Sequence, residues 1–592
     1  MEIKDMKKIF ALAVALLTLV SCNMDFYSSA SMTSAQLKEN PASAVYTTDG
    51  IYALFKDALP YNADSGTDDN VYIRHYFQLA ESRGDNMCIS AHSTDPFLGP
   101  YMYEDVDNTK NKYYLWWMAY KIIYAANSNI DAIDPSADKT SSHLVGENYF
   151  FRALCHLNMV SLFALPYSAG RDNPGVPLRI GMDYSTTTRA TVGQVYDAVV
   201  EDLKQAATYM DAGTPRGDAS YVSATAARAL LSRVYLNMGM DDECIDLCEN
   251  HLMNKAPKEV TSGYDLAKYP TQTWASGETI WCVHLIYPAD LLSDSATLGA
   301  MYYKDGDENA GTNRGWGEWY WNDELIELFN RYPADKRFST YFCYEPMAYD
   351  PTKDDGTKKM VCFPSKPKTG DYLIFGYALN CTADANGDYS FTWEGNNYKA
   401  VKTTVNGYTR YFIDANLTGD ASYCGGKTPA YIRANVDEAT GIRGGTFPRY
   451  YNTKYSFQDG QPTFSSPVML RWGEVVLNLA EAYAHKGDVN NALKYVNIIR
   501  QRAGIAAADD FTAGNMANRG YDDVLDVVLD ERRMELCFEG HRLFDLQRNR
   551  RKLDRRYPGY HDWCEIEYND KRMALLIPAD EINASHIAQN PR

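Results

Sequence analysis

The chain has 592 residues, of which 45% are hydrophobic, so it is long enough to bury a large core. Its formal net charge of −19 argues against nucleic acid or an anionic lipid surface as a partner. Tyrosine is abundant, with 46 residues, which is typical of a protein with extensive amphipathic aromatic surface.

The N-terminus has the pattern of an export signal. Basic residues precede an apolar run from Ile9 to Val20, which is shorter than the ~20 residues of a membrane span. The run leads through Leu-Val-Ser to Cys22, an order that resembles a bacterial lipobox. We expect residues 1–21 to be a lipoprotein signal peptide, Cys22 to carry lipid that tethers the protein to a membrane, and residues 22–40 to be a linker. An ordinary secretory signal with an accidental cysteine is the alternative.

Two helix pairs are predicted in the N-terminal part of the chain. Periodic apolar residues indicate one pair over Ala42–Leu59 and Tyr113–Ile133. The second pair covers Glu147–Leu165 and Thr191–Met210, and Thr191 is a candidate N-cap for its second helix. Long irregular segments interrupt both pairs.

Two further helix pairs follow a repeat pattern. The segment Arg471–Gly504 has the residue order of a tetratricopeptide helix-turn-helix, with small, bulky and turn residues at Leu479, Ala480, Tyr483, Gly487, Ala492 and Val496. The alanines allow close helix approach, and Gly487 predicts a left-handed end to the first helix. The same register falls on Thr225–Asn250, with Tyr235 and Gly239 at the equivalent positions. The expected fold class is therefore mainly α, with about four tetratricopeptide-like helix pairs as a scaffold and a large loop- and β-rich insertion.

Cys244 and Cys248 stand four residues apart on one predicted helix face, and His251 follows three residues later. Such a group could bind a metal ion, but the repeat register already places both cysteines in the core. We therefore predict that both thiols are packing residues, and we expect no metal site.

From about residue 257 to residue 466, short β-prone runs replace the helical periodicity. Asn406-Gly407 is a hairpin signal between two of these runs. A disulfide is favoured among Cys362, Cys381 and Cys424 in this region, with the pairing left open.

Two aromatic and irregular stretches, Arg83–Tyr103 and Thr312–Asp323, accompany the predicted helices. Insertions between repeat units tend to gather on one face of the scaffold, so these stretches can meet. Alternation places Trp319 and Trp321 on one side of an extended segment. We hypothesise one shallow ligand-binding site, with aromatic faces for sugar rings and polar groups for hydroxyls, built from Asp85, Phe97, Tyr101, Asn313, Arg314, Trp316, Trp319 and Trp321. The alternative is that these tryptophans anchor the insertion in the core, since buried and exposed tryptophans look alike in a sequence.

The C-terminal part has a dense pattern of opposite charges, DERRMELCFEGHRLFDLQR, from Asp530 to Arg548. With the Arg471–Gly504 motif and the tail LIPADEI that begins at Leu576, this pattern resembles the signature of the SusD/RagB family. The members of that family are nutrient-uptake outer-membrane lipoproteins of Bacteroidetes. The lipobox-like sequence before Cys22 agrees with the resemblance.

The resemblance has implications for domains, location and partners. It implies one SusD-like domain over residues 41–592, with helical repeats at about 41–256 and 467–550 and an inserted variable ligand-binding region at about 257–466. It also implies a surface-exposed location at the outer membrane. The implied partner is a TonB-dependent, SusC-like outer-membrane transporter, which this protein would cap like a hinged lid.

Three functions are weighed. The first is non-catalytic capture of an oligosaccharide or glycan fragment and its delivery to the transporter, with no cofactor. The second is a glycoside hydrolase, which needs two carboxylates about 5–10 Å apart, one with a raised pKa. The sequence contains no G-x-S-x-G, H-E-x-x-H or P-loop motif, but its many carboxylates leave the hydrolase open. The third is a tetratricopeptide scaffold that binds peptides, which the long insertions disfavour.

Overall fold

A computed structural model describes residues 43–59, 70–89, 93, 95–184, 188–257, 266, 269–291, 297–303, 315–344, 357–366, 374–405, 407–419, 426–435, 450–557, 559, 561–562 and 564–592. Over these ranges the protein is a helical scaffold with a β-rich insertion, which confirms the predicted fold class. The helices within these ranges include none that combines the length and the apolar character needed to cross a membrane. Cys22 and the export signal lie outside the described residues.

The helices are numbered in chain order. Those before the insertion are α1 (Ala44–Lys56), α2 (Tyr72–Glu81), α3 (Leu98–Met102), α4 (Lys110–Ala132), α5 (Lys139–Phe163), α6 (Val192–Ala212), α7 (Ala224–Met238) and α8 (Asp241–Leu247). The later helices are α9 (Leu298–Tyr302), α10 (Asp323–Asn330), α11 (Trp472–His485), α12 (Val489–Arg502), α13 (Val524–Leu536), α14 (Arg542–Arg548) and α15 (Ala579–Ser585). The predicted pairs α1–α4, α5–α6, α7–α8 and α11–α12 are each in contact, so all four are confirmed.

The ends of the helices follow the residues that predicted them. The side chain of Thr191 accepts a hydrogen bond from the backbone N–H of Gln194 and so caps α6, as predicted. Gly487 has φ of +75°, and the next N–H donates to the carbonyl oxygen of Tyr483 at 2.9 Å. Gly239 ends α7 in the same way, with φ of +70°. Glycine adopts this left-handed conformation without the steric cost of a Cβ atom, so the helix reverses sharply at both positions.

Consecutive repeats pack across the insertion. Tyr483 of α11 and Tyr495 of α12 are stacked, and both hydroxyl groups donate to Glu249, which follows α8, at 2.6 and 3.2 Å. Cys244 and Cys248 are fully buried in the main core cluster. The predicted packing role of both thiols is therefore confirmed.

The strands are β1 (Met87–Ile89), β2 (Pro174–Pro177), β3 (Arg189–Thr191), β4 (Thr279–Cys282), β5 (Trp319–Trp321), β6 (Cys343–Tyr344), β7 (Lys358–Ser365), β8 (Ile374–Thr382), β9 (Tyr389–Trp393), β10 (Asn396–Val405), β11 (Tyr408–Ile413), β12 (Thr428–Ala434), β13 (Tyr451–Asn452), β14 (Val468–Arg471), β15 (Leu553–Asp554) and β16 (Glu565–Ile566). Strand β4, near the start of the insertion, pairs with β14 at its end. This pairing brings the two ends of the insertion together beside α7.

Six strands of the insertion form one antiparallel sheet in the order β8-β7-β12-β11-β10-β9. A bridge between Ala383 and Tyr389 joins its two edges, so the sheet curls into a partly closed barrel, called here the β barrel. Val405 of β10 pairs with Tyr408 of β11 across Asn406-Gly407, which confirms the predicted hairpin. Alternate residues fill the interior of the barrel, among them Val361, Phe363, Ala400, Ile413 and Ala430.

The expected disulfide is wrong for Cys362 and Cys381, because both are free thiols. In the β7–β8 ladder Cys362 lies opposite Tyr377, and Cys381 lies opposite Lys359. The two sulfur atoms therefore do not face one another across the strands. Cys424 lies outside the described residues.

The charge-rich C-terminal motif forms a buried ionic network. Arg471 donates to Glu535 at 2.5 Å, to Glu278 at 2.8 Å and to Glu539 at 2.7 Å. Burial alone would raise the pKa of Glu535, but Arg502 and the other guanidinium groups around it hold that pKa well below its usual range. The network ties α13 to β14 and to the entrance of the insertion, because each buried charge needs its partner.

Candidate ligand-binding surface

The two aromatic stretches predicted to meet do so. Strand β1 pairs antiparallel with β5, which places Met87 opposite Trp321 and Ile89 opposite Trp319. The ring centroids of Phe97 and Trp319 are 4.2 Å apart. The predicted convergence is thus confirmed, but the two stretches meet in the interior of the protein and not on a surface.

Trp319 and Trp321 are 0% and 1% exposed. As alternation predicts, both lie on one side of β5 in the main core, whereas Tyr320 between them belongs to a separate core cluster. The geometry matches the packing alternative, since no ring face is open to solvent. A direct contact of Trp319 or Trp321 with a ligand stays a prediction, and the burial of both side chains disfavours this contact.

Asp85, Phe97 and Tyr101 are buried as well, so none of them has the exposed face that the hypothesised site requires, and their contact with a ligand stays a prediction. The carboxylate of Asp85 accepts from Arg542 at 2.6 Å. Burial alone would raise the pKa of Asp85, but Arg533 and Arg542 lower it to about 2. These contacts give the Asp85 carboxylate a structural role, because a buried charge needs partners of opposite sign.

Trp316 is half-buried and lies at the margin of the core. Its backbone N–H donates to the carbonyl oxygen of Ala300 in α9 at 2.9 Å. The guanidinium carbon of Arg74 lies 5.8 Å from the centroid of its ring, a cation–π distance. The predicted polar partners Asn313 and Arg314 immediately precede this segment and lie outside the described residues.

Two exposed aromatic side chains lie in segments that pack near α9. Tyr287 is 39% exposed and packs edge-on against Phe464, with a centroid distance of 5.9 Å. Phe457 is 38% exposed and packs edge-on against Tyr303, which follows α9, at 5.4 Å. In each case a buried ring supports an exposed one, which fixes the exposed ring at the surface.

Close backbone packing holds these segments together. A Cβ atom at Gly299 in α9 would come within 2.3 Å of the carbonyl oxygen of Tyr455 and within 2.4 Å of that of Thr463. At Gly315, where φ is +67°, a Cβ atom would come within 2.1 Å of the carbonyl oxygen of Tyr303. Glycine at both positions therefore lets the loop before Trp316 and the loop that contains Phe457 approach the same short helix.

Phe457 has an unusual backbone conformation for an aromatic residue. Its φ is +71°, and Asp459 two residues later has φ of +52°. Such residues cost of order 1–3 kcal/mol each and persist only where their surroundings hold them. Here the N–H of Phe457 donates to the carbonyl oxygen of Gln461 at 2.8 Å, and the Gln458 side chain donates to that of Leu285, also at 2.8 Å. The loop thus presents its aromatic ring at a conformational cost, which is a recurrent property of functional sites.

A carboxylate residue follows each exposed ring within three residues along the chain. Asp290 accepts from Lys56 and from the backbone N–H of Ile286, both at 2.7 Å, and Asp459 is exposed. We call the group of Tyr287, Trp316, Phe457, Asp290 and Asp459 the α9 surface. Aromatic faces next to carboxylate acceptors can stack on the C–H face of a sugar and accept from its hydroxyl groups. In the part of the chain described, no group of three or more His, Cys, Asp or Glu is placed to hold a metal ion.

Sequence reasoning selected Trp316 for the candidate site but did not select Tyr287 or Phe457. Both are single aromatic residues in irregular segments, where no period reveals which way a side chain points. The available signal was their setting next to turn residues. Tyr287 precedes Pro288, and Phe457 stands just before Asp459-Gly460.

The comparisons with known proteins agree with this architecture. A model of the SusD family matches residues 277–583. A second model, described as starch-binding associating with outer membrane, matches residues 60–236. The chain belongs to the SusD family.

Individual relatives are distant but share most of the chain. A SusD-like protein of Formosa agariphila is 21% identical over 439 residues, which are 73% of this chain and 69% of that protein. The crystal structure of a SusD superfamily protein from Bacteroides thetaiotaomicron is 22% identical, with a TM-score of 0.63 over 93% of this chain and 99% of that one. A putative sugar binding protein from Bacteroides vulgatus is 21% identical, with a TM-score of 0.62 over 93% and 98% of the two chains. At these identities the solved structures establish a shared fold.

Proposed function

We propose that this protein captures oligosaccharides through the α9 surface without catalysing a reaction on them. The observation that carries the proposal is the pair of exposed rings, Tyr287 and Phe457, each fixed by a buried aromatic neighbour and accompanied by Asp290 and Asp459. Stacking of a sugar on one such ring contributes on the order of 1–2 kcal/mol, so two or three rings give a useful affinity.

Membership in the SusD family supports this proposal. The model that matches the N-terminal half carries the description of starch-binding at the outer membrane, and one structural neighbour is titled a putative sugar binding protein. We further propose that lipid on Cys22 tethers the protein to the outer membrane with the glycan-binding part exposed at the cell surface. Captured glycan would then pass to a TonB-dependent, SusC-like transporter, with this protein as a lid.

The hydrolase alternative depends on raised carboxyl pKa values. Burial raises the pKa of Glu147 and of Glu324 to about 7, but both side chains are enclosed and paired with arginines. Asp57 is an exposed carboxyl close to the α9 surface. Partial burial and the Asp290 carboxylate raise its pKa, against the opposing charge of Lys56. Asp57 is therefore the candidate catalytic carboxyl group under the hydrolase alternative.

One experiment separates the three functions. The purified protein is titrated by calorimetry with a panel of neutral oligosaccharides that includes maltoheptaose and with a set of peptides, and each oligosaccharide mixture is then analysed by chromatography. We expect saturable binding and recovery of the intact oligosaccharide. Cleavage products that disappear in an Asp57→Asn variant would favour the hydrolase, and binding of peptides but of no oligosaccharide would favour the scaffold.

A further inference from the structure

A second concave region has no lining residue in common with the α9 surface. A groove of about 770 Å³ runs between the β10–β11 hairpin of the β barrel and the segment that joins β15 to β16. Its lining includes Val401, Phe412, Asp414, Lys427 and Arg556. Grooves of this size at the junction of two parts of a protein are typical of small-ligand sites.

The floor of the groove is an apolar cross-strand pair. Val401 of β10 lies directly opposite Phe412 of β11 in the ladder, so the two side chains share one face of the sheet. Val401 is 40% exposed, and Phe412 is half-buried. The barrel therefore shows an apolar strip to solvent inside a concave region, where an aromatic ring can support a flat ligand.

The rim of the groove carries positive charge in an otherwise acidic protein. Lys427 and Arg556 line it together with one carboxylate, Asp414, although the whole chain has a net charge of −19. The ammonium group of Lys427 lies 5.8 Å from the centroid of the Phe412 ring. An aromatic face and an ammonium group thus lie side by side, and the ammonium of Lys427 is a point charge that suits an anion.

Arg556 contributes differently from Lys427. Its guanidinium donates to Asp554 at 2.8 Å and to Glu565 at 3.0 Å, the residues of the β15–β16 pair. These contacts fix the guanidinium at the wall of the groove and share its charge. Lys427 therefore dominates the electrostatic attraction that the groove exerts on an anionic ligand.

We propose that this groove is a second saccharide site, selective for sugar units that carry a carboxylate or a sulfate group. The sugar ring stacks on Phe412 beside Val401, and Lys427 binds the acidic group. The groove is distinct from the α9 surface. The inference rests on the proposed function only in taking the ligand to be a saccharide. One long acidic glycan could occupy both surfaces, which would raise its overall affinity by avidity.

The test compares charged and neutral probes on the full purified protein. Tetragalacturonate, a κ-carrageenan tetrasaccharide and the neutral galactotetraose are titrated at low salt and again at about 0.5 M NaCl. We expect at least one of the two acidic probes to bind, with an affinity about tenfold or more above that of the neutral probe, and salt to reduce the difference. Phe412→Ala and Lys427→Gln should each weaken binding of that probe by about tenfold. Lys358→Gln, at an exposed position of β7 outside the groove, should bind like the parent protein.

Three results would overturn the inference. The first is equal affinity for acidic and neutral probes, and the second is parent-like binding in both groove variants with unchanged melting temperatures. The third is loss of acidic-probe binding in Tyr287→Ala or Phe457→Ala but not in the groove variants. That last result would place the acidic ligand at the α9 surface and would leave the proposed function intact.

Discussion

The rings of Phe97 and Trp319 are in contact inside the protein, with centroids 4.2 Å apart, and so join the loop before α3 to the insertion. Because both side chains are fully buried, Trp319→Ala should leave a cavity and lower the free energy of unfolding by about 3–5 kcal/mol. Urea denaturation measures this change, and the exposed Phe457→Ala provides the comparison. A variant that keeps its stability but loses glycan affinity would reinstate Trp319 as a binding platform.

The network around Glu535 yields a second prediction. Glu535→Gln removes the charge that faces Arg471, Arg337 and Arg502 in the core. We expect the free energy of unfolding to fall by about 3–5 kcal/mol, because buried guanidinium groups lose a partner. Asp242→Asn breaks the exposed pair with Lys486 and should cost at most about 1 kcal/mol. Equal, small effects of the two substitutions in urea denaturation would contradict this account.

Acid should destabilise the protein through carboxylates of low pKa. Burial alone would raise the pKa of Asp85 and of Glu474, but arginine neighbours lower both to about 2. In the unfolded chain such groups titrate at about 4, so below that pH the unfolded state binds more protons than the folded state. The contribution of these two carboxylates to stability is therefore complete above about pH 4.5 and is lost as the pH approaches 2. Urea midpoints measured from pH 4.5 to pH 3 should decrease, and a constant midpoint would refute the prediction.

Glu147 should have the opposite effect on the pH dependence of the free energy of unfolding. Burial raises its pKa to about 7, so between about pH 4.5 and 7 the folded state holds a proton that the unfolded state has released. The free energy of unfolding therefore decreases as the pH rises through this window. Glu147→Gln should remove that part of the slope, whereas Glu201→Gln on the exposed side of α6 should leave it unchanged. Identical slopes in Glu147→Gln and in the parent protein would contradict the assignment.

The scaffold could be predicted because its residues act through local rules. Tyr235 with Gly239, and Tyr483 with Gly487, each mark a reversal between helices, and the structure has both reversals. The Asn406-Gly407 turn likewise produced the expected hairpin. In these cases backbone conformation and short-range spacing decide the outcome, and both can be read from the sequence.

The binding surface could not be predicted to the same extent, because exposure is decided by distant parts of the chain. Alternation correctly placed Trp319 and Trp321 on one side, but the pairing of β5 with β1 and the packing of Phe538 on Trp321 turned that side inward. The surface position of Phe457 depends on its contact with Tyr303, which lies far away in sequence. A sequence pattern gives the direction of a side chain within its element and does not give what covers it.

The most direct test of glycan capture at the α9 surface is calorimetric titration of Tyr287→Ala and Phe457→Ala with the oligosaccharide that binds most tightly in the panel. Tyr46→Ala removes an aromatic ring that is 76% exposed near the start of α1, outside the α9 surface, and serves as the matched control. Each α9-surface variant should lose about tenfold in affinity while its melting temperature stays close to that of the parent protein, and Tyr46→Ala should bind like the parent. Unchanged affinity in both folded α9-surface variants would contradict the account.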